Sequence, residues 1–233
     1  MASDGAEIVA VGSQQGARIA RAQFFVSTDD GQSWSMGHVR TPDGGPPPPG
    51  HAARFVAGGR GAWVALGPGS IWTSPDGRTW TLSSTAGLPL RPGDKVSALT
   101  RTTAGFIAVG SNIPAGNAAG ATPVVFLSAN GISWQRLSAA QLNLVAGGGR
   151  VLDIKYAAAY GDQILIAGDV TATRTAGRPP RTVTVQTSAA WLSRNGGRTW
   201  TLAVPSGTST PAGHGAQAQI SGCLLYTSDA ADE

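Results

Sequence analysis

Four stretches of this 233-residue chain end in the same way: STDDGQSW (27–34), TSPDGRTW (73–80), LSANGISW (127–134) and LSRNGGRTW (192–200). Aligned on Trp34, Trp80, Trp134 and Trp200, each has glycine three places earlier, at Gly31, Gly77, Gly131 and Gly197, and Ser or Thr just before the tryptophan. The tryptophans are 46, 54 and 66 residues apart, so a constant unit is separated by loops of varying length. A chain built this way folds as a repeat protein, each unit too small to bury its apolar surface without its neighbours.

Within a unit the pattern reads as four short strands. In the second they are ARFVAGG, AWVALG, SIWTS and TWTLSS; in the third KVSALTRT, FIAVGS, VVFLS and SWQRLS. Alternating apolar positions, β-branched residues and Gly/Pro punctuation are strand signals, and no stretch sustains a helical period. Four strands per repeat of this length predict an all-β chain, a β-propeller fragment of four-stranded antiparallel blades. Residues 1–222 are expected to form one partial propeller, with an incomplete blade over 1–40, blades over 51–84, 95–138 and 150–204, and the start of another at 215–222. The first blade is read as incomplete because only MASDG precedes AEIVAVGS (6–13), where GFIAVGSN (105–112) follows a full strand. Either Met1 is an internal start or that strand is supplied from elsewhere. Residues 223–233, CLLYTSDAADE, break the style of the rest and resemble one reading frame of the adapter DNA used in transposon-based sequencing libraries. A genuine polar tail is the alternative; the segment is left out of the fold reading.

The four stretches resemble the Asp-box, or bacterial neuraminidase repeat, of Ser-x-Asp-x-Gly-x-Thr-Trp type, characteristic of sialidase-like β-propellers. Ser27, Asp29, Gly31 and Trp34 match it, as do Ser193, Gly197 and Trp200 with Asn195 in the aspartate's place. Ser74, Gly77 and Trp80, and Ser128, Gly131 and Trp134, match with Pro75 and Ala129 at the aspartate position, Asp76 and Asn130 falling one place late. The resemblance implies a turn between the third and fourth strands of a blade, on the end away from the ligand site, and an extracellular or cell-envelope bacterial protein. The chemistry suits a turn: Asp and Asn accept hydrogen bonds from nearby backbone N–H groups, and glycine supplies a positive φ. A buried tryptophan removes about 150–250 Å² from water, worth up to about 4–6 kcal/mol, against about 0.5–1.5 kcal/mol for a local hydrogen bond. The ring is therefore expected to be buried in every unit. A single such stretch offers too few oxygens for calcium.

Function is less legible. If these turns join strands three and four, the loops 14–22, 67–69, 112–123 and 170–186 lie at the opposite end, with the connections 40–51, 83–94 and 138–149. Arg18 and Arg21 fall in the first of them, Arg174, Arg178 and Arg181 in the last. Arginine grips carboxylate or phosphate through paired hydrogen bonds, so a convergent set would hold an anionic glycan or polymer; solvated arginines on surface loops are the plainer reading. Without residues 223–233 the 13 acidic residues fall to 10 against an unchanged 17 basic ones, moving the formal charge from +4 to +7. No basic stripe with interleaved aromatics accompanies that charge, so nucleic acid is not expected. No apolar run reaches the ~20 residues of a membrane span.

Cys223 lies in the excluded tail, which removes disulfides and thiol chemistry. His38, His51 and His214 lack metal-ligand spacing, and no cofactor or metal is expected. The resemblance also raises a sialidase or related glycoside hydrolase, with three arginines, a tyrosine–glutamate nucleophile pair and an aspartate acid/base. The Arg-Ile-Pro motif is absent, SNIPAG (111–116) having asparagine there. Glu7 is the one glutamate outside the tail, and Tyr156 and Tyr160 are expected to be packing residues. Glycoside hydrolysis needs two positioned carboxylates and no pair stands out, so no catalytic residue is assigned. The favoured reading is a non-catalytic propeller binding a glycan, a cell-surface polymer or a protein; the alternative is a glycosidase whose catalytic groups lie in further blades.

Overall fold

The computed structural model describes residues 1–15, 20–59, 61–115, 117, 120–146, 149–176, 178 and 181–203. The segments 215–222 and 223–233, and Arg18, lie outside these residues.

Among the described residues the chain forms four sheets in sequence order, antiparallel except for one pairing in the second. The first contains β1 (Ala2–Asp4), β2 (Glu7–Gln15), β3 (Ala20–Ser27) and β4 (Ser35–Met36). After β5 (His38–Arg40) come β6 (Phe55–Gly59), β7 (Ala62–Gly67), β8 (Ser70–Ser74) and β9 (Thr79–Ser84) of the second sheet. The third holds β10 (Asp94–Thr102), β11 (Gly105–Asn112), β12 (Thr122–Ser128) and β13 (Gln135–Leu137). A single helical turn, α1 (Ala139–Leu142), leads to the fourth, with β14 (Arg150–Val151), β15 (Tyr156–Tyr160), β16 (Gln163–Ala176), β17 (Arg181–Ser193) and β18 (Thr201–Ala203). The sequence reads 138–149 as a plain connection; the turn forms there because it buries Leu142 in the core between sheets three and four.

Period-two alternation places the cores. In β12, Val124 and Phe126 face the second sheet while Val125 faces the fourth, as successive strand side chains must point to opposite sides. The same division gives three cores, one between each consecutive pair of sheets. The first strands adjoin one another, β1 to β6, β6 to β10 and β10 to β15, so the sheets splay from a common inner line. At the outer edge β5 leaves the first sheet and pairs in parallel with β9, His38 opposite Thr79 and Arg40 opposite Thr81.

One glycine recurs as the sixth residue of β2, β7, β11 and β16. A Cβ on Gly67, Gly110 or Gly168 would lie 1.8, 1.8 or 2.0 Å from the carbonyl oxygen of Ala52, Lys95 or Asp153 respectively. Only a residue without a side chain lets the backbone at or just before β6, β10 and β15 approach so closely. The counterpart in the first sheet is Gly12, where a Cβ would meet nothing within 4 Å. There β1 is three residues long and pairs only as far as Val9.

Candidate functional site

The four serine-led turns connect β3 to β4, β8 to β9, β12 to β13 and β17 to β18, the last two strands of each sheet, and all are built the same way. Ser27 Oγ donates to Asp29 Oδ1 (2.7 Å) and accepts the Gly31 N–H (2.8 Å). Asp29 in turn accepts the Ser33 N–H (2.8 Å) and hydroxyl (2.6 Å). Asp76 accepts the Ser74 hydroxyl and the Arg78 and Thr79 N–H groups. Asn130 accepts from Ser128, Ile132 and Ser133, and Asn195 from Ser193, Arg198 and Thr199.

This corrects the alignment on tryptophan. Asp76 and Asn130 are not displaced; counted from the serine, all four acceptors sit two places on and do the same work. The offset comes from one extra residue in the first and fourth turns. Asp30 (φ 57°) and Gly31 (φ 86°) are consecutive left-handed residues there, as are Gly196 (φ 68°) and Gly197 (φ 87°). The extra N–H reaches into the neighbouring turn between strands one and two, Asp30 to Ala6 O and Gly196 to Asp162 O.

A second correction concerns the rings. Trp80 is fully buried and Trp200 is 9% exposed, but Trp34 is 44% exposed. Trp80, Trp134 and Trp200 belong to the core shared with the preceding sheet, and among the described residues nothing stands in front of the first sheet, where Trp34 lies. Trp34, Trp80 and Trp134 donate Nε1–H to the carbonyl of Gly31, Gly77 and Gly131; Trp200 Nε1 is buried without an acceptor among the described residues.

At the opposite end the sheets differ. Past the recurrent glycine, β7 and β8 add no pair beyond Gly67↔Ser70, and β11 and β12 continue to Asn112↔Thr122. In the fourth sheet pairing runs eight residues further, from Asp169↔Ser188 to Ala176↔Arg181. Residues 170–176 and 181–186, expected to lie in a loop, therefore belong to a two-stranded ribbon about 25 Å long at ~3.3 Å per residue. On β17, half-buried Val183 and Val185 alternate with exposed residues, a short strand signal that the neighbouring Gly177, Pro179 and Pro180 outweighed in the sequence. Arg174 lies on β16 opposite Val183, and Arg178 and Arg181 are exposed at the tip. These three share one element. Arg21 is exposed on β3, opposite Gln14, with sheets two and three between it and the ribbon.

The ribbon's root carries a polar cluster that sequence reasoning missed. Asp169 Oδ2 accepts from Lys155 Nζ (2.6 Å) and from the Gln186 amide, and the Asp169 N–H donates to Asp153 Oδ1 (2.9 Å). Burial pushes the Asp153 carboxyl above the usual range. In the third sheet Arg136 grips Asp94 with Nε to Oδ2 at 2.7 Å and Nη2 to Oδ1 at 2.8 Å, the side chains 12% and 0% exposed. Burial alone would raise the Asp94 carboxyl, but Arg136, the Arg91 N–H and the Asn112 amide hold it below its ordinary value. Both clusters join residues distant in sequence, so no local motif could reveal them.

Glu7 begins β2 beside the second sheet's turn, close to Gly77. Tyr160 ends β15 at that same end of its sheet and is 63% exposed, not packed as expected. Among the described residues no group of three or more His, Cys, Asp or Glu is placed to hold a metal ion, and no helix is long and apolar enough to cross a membrane.

No family model matches the chain, and no curated protein matches it in sequence. Similar solved structures include YCF48 bound to D1 peptide, at 17% identity and TM-score 0.39, covering 78% of this chain and 49% of that one. An ancestral GH74 enzyme is similar at 10% identity and TM-score 0.29, covering 77% of this chain and 30% of that one. The chain thus spans about half the length of the first and under a third of the second. Neither likeness assigns an activity to this chain.

Proposed function

We propose that the four sheets are successive blades of an Asp-box β-propeller acting as a non-catalytic binding module at the cell surface, with its ligand end opposite the serine-led turns. The blade reading rests on consecutive packing with first strands adjoining, and on four turns of one construction. The observation that carries the functional reading is the ribbon, the one hairpin extended eight pairs beyond its glycine, with Arg178 and Arg181 exposed at its tip and Arg174 on its ladder. Backbone pairing holds the cationic tip out from the sheet, and guanidinium groups suit carboxylate, sulfate or phosphate. The ligand class is an anionic glycan or cell-surface polymer, or an acidic protein surface. Glu7, the one glutamate outside residues 223–233, sits at the turn end, away from the ribbon; this favours binding over hydrolysis.

The test is a glycan array that includes sulfated and sialylated polymers, comparing the wild type with an Arg174/Arg178/Arg181→Ala variant. Binding should fall with the variant and weaken with salt as the Debye length shrinks from ~10 Å at 0.1 M to ~3 Å at 1 M. Equal binding by both proteins refutes the ribbon assignment, and release of sialic acid from a fluorogenic substrate refutes the non-catalytic reading.

A further inference from the structure

We propose that the inner line of the sheets carries a site for an acidic sugar, built from Arg54, Lys95, Ser97 and the Lys155–Asp169 pair. The site rests on a feature shared by sheets two, three and four. At β6, β10 and β15 two consecutive residues face a single residue of the partner strand: Arg54 and Phe55 face Leu66, Ser97 and Ala98 face Val109, and Lys155 and Tyr156 face Ala167. The Arg54 and Lys155 N–H groups reach the carbonyls of Leu66 and Ala167, each at 2.8 Å, and in β10 the register shifts between Val96 and Ala98. Each is a β-bulge, which adds a residue to one strand and re-aims its side chain.

The bulge takes the extra side chain out of the cores. Ala53, Val96 and Ile154, just before it, pack toward the preceding sheet, while Phe55 and Ala98, just after it, pack toward the following one. Arg54, Ser97 and Lys155 belong to neither set and are exposed. Ser97 is exposed although β6 and β15 lie on either side of its strand, with Cα atoms within 8 Å of β10, so the outward aim comes from the bulge itself. Three bulges thus meet along one line, beside Gly67, Gly110 and Gly168 and away from the serine-led turns. Lys95 is exposed on the same strand as Ser97, which brings both lysines of the chain to this line.

The two sides of the line differ in charge. Arg54, its guanidinium 5.5 Å from the centre of the Phe55 ring, and Lys95 form no ion pair among the described residues. Lys155 is instead held by Asp169 at 2.6 Å, and Asp153 accepts the Asp169 N–H. One side is therefore cationic and offers the Ser97 hydroxyl, and the other presents carboxylate oxygens beside the Gln186 amide. A carboxylate group is drawn to the first, and ligand hydroxyls donate to the acceptors of the second. A ligand with one negative group and several hydroxyls satisfies both, whereas a multiply charged anion is repelled by Asp153 and Asp169. That is the chemistry of an acidic sugar. The site shares the ligand end of the binding reading above but none of its arginines, so either can fail alone.

The probe is glucuronate, titrated into the protein and followed by NMR, with glucose and acetate as controls. Expected are saturable shifts centred on the Lys95 and Ser97 amides, with glucuronate bound at least about ten-fold more tightly than either control, since each lacks one half of the recognition. Arg54→Gln and Lys95→Gln should each weaken glucuronate binding at least about ten-fold. Both positions are exposed, so the melting temperature should not move. Arg174/Arg178/Arg181→Ala should leave glucuronate binding as it is. Absence of saturable shifts, binding indifferent to both glutamine substitutions, or acetate bound as tightly as glucuronate overturns the proposal. So does loss of glucuronate binding in the ribbon variant, which would move the acidic sugar to the ribbon.

Discussion

Trp80 lies flat on Phe24 of the preceding sheet, ring centroids 4.1 Å apart and planes inclined by 11°. The contact crosses from one repeat to the one before it, and it is the reason the tryptophan recurs. Each unit contributes a ring that finds its cover on its predecessor. Trp80→Ala should therefore cost about 3–5 kcal/mol, the range for emptying a large aromatic site. Trp34→Ala, at the equivalent but half-exposed position, should cost less by about 2 kcal/mol or more. Urea unfolding of the two variants measures both, and equal losses would show that the ring matters to its own turn and not to its neighbour.

The longer turns carry a second expectation. Asp30 holds a left-handed φ of 57° where the fourth turn has Gly196. A side chain there is strained, while glycine pays more entropy on folding. The two effects nearly offset, so Asp30→Gly should stabilise by no more than about 0.5–1 kcal/mol. Asp30→Val, with a β-branched side chain unsuited to that region, should destabilise by more than about 1 kcal/mol. Both changes keep the N–H that reaches Ala6. Thermal melts would settle the ranking.

Acid should loosen the first turn in a defined window. The Ser33 hydroxyl and N–H, with the Ser27 hydroxyl, hold the Asp29 carboxyl down at about 2, below the ~3.9 of an unfolded chain. A depressed folded value means the stabilisation is complete above about pH 4 and is lost as pH falls through about 2. Asp29→Asn keeps the acceptor geometry that Asn130 and Asn195 use, but cannot titrate. The stability gap between wild type and variant should narrow between about pH 4 and pH 2, followed by denaturant midpoints. Asp76 and Asp94 are also lowered, but they are common to both proteins and cancel.

Asp94 and Arg136 make the costliest pair to break. With the carboxylate fully buried, Arg136→Met strands a charge, and breaking a buried pair this way costs about 3–5 kcal/mol. The double change Asp94→Asn with Arg136→Met should recover much of that loss. A double-mutant cycle by urea unfolding gives the coupling; a value near zero would mean that the pair is not desolvated in solution.

Local chemistry explains which parts of the fold could be read directly. AWVALG, SIWTS and TWTLSS coincide with β7, β8 and β9, because in a sheet buried on both faces the apolar run and its Gly/Pro ends carry the whole signal. The turns were recognisable, but their register was not. One left-handed residue between acceptor and tryptophan shifts the count, and only the serine's hydrogen bonds fix the origin. Trp34 could not be told from Trp80, since exposure depends on a neighbour and not on the motif. The ribbon was hidden by Gly177, Pro179 and Pro180, although its Thr and Val residues are good strand formers. Arg174, Arg178 and Arg181 were named from the sequence, and their common element comes from β16 pairing with β17. Neither Asp94–Arg136 nor the Asp153–Lys155–Asp169 cluster has any local signature.

The parallel pairing of β5 with β9 bears on how the chain matures as it is synthesised. His38–Arg40 emerges about 40 residues before Thr79–Thr81, its hydrogen-bonding partner. Phe24 waits longer, since Trp80 is 56 residues further along. At about 5–20 residues per second, the outer end of the first repeat stays unfinished for roughly 2–8 s, until the second has been made. The two repeats then close in one step, and a ribosome stalled between Arg40 and Thr79 would present Phe24 and the β5 edge to chaperones as a single unprotected surface.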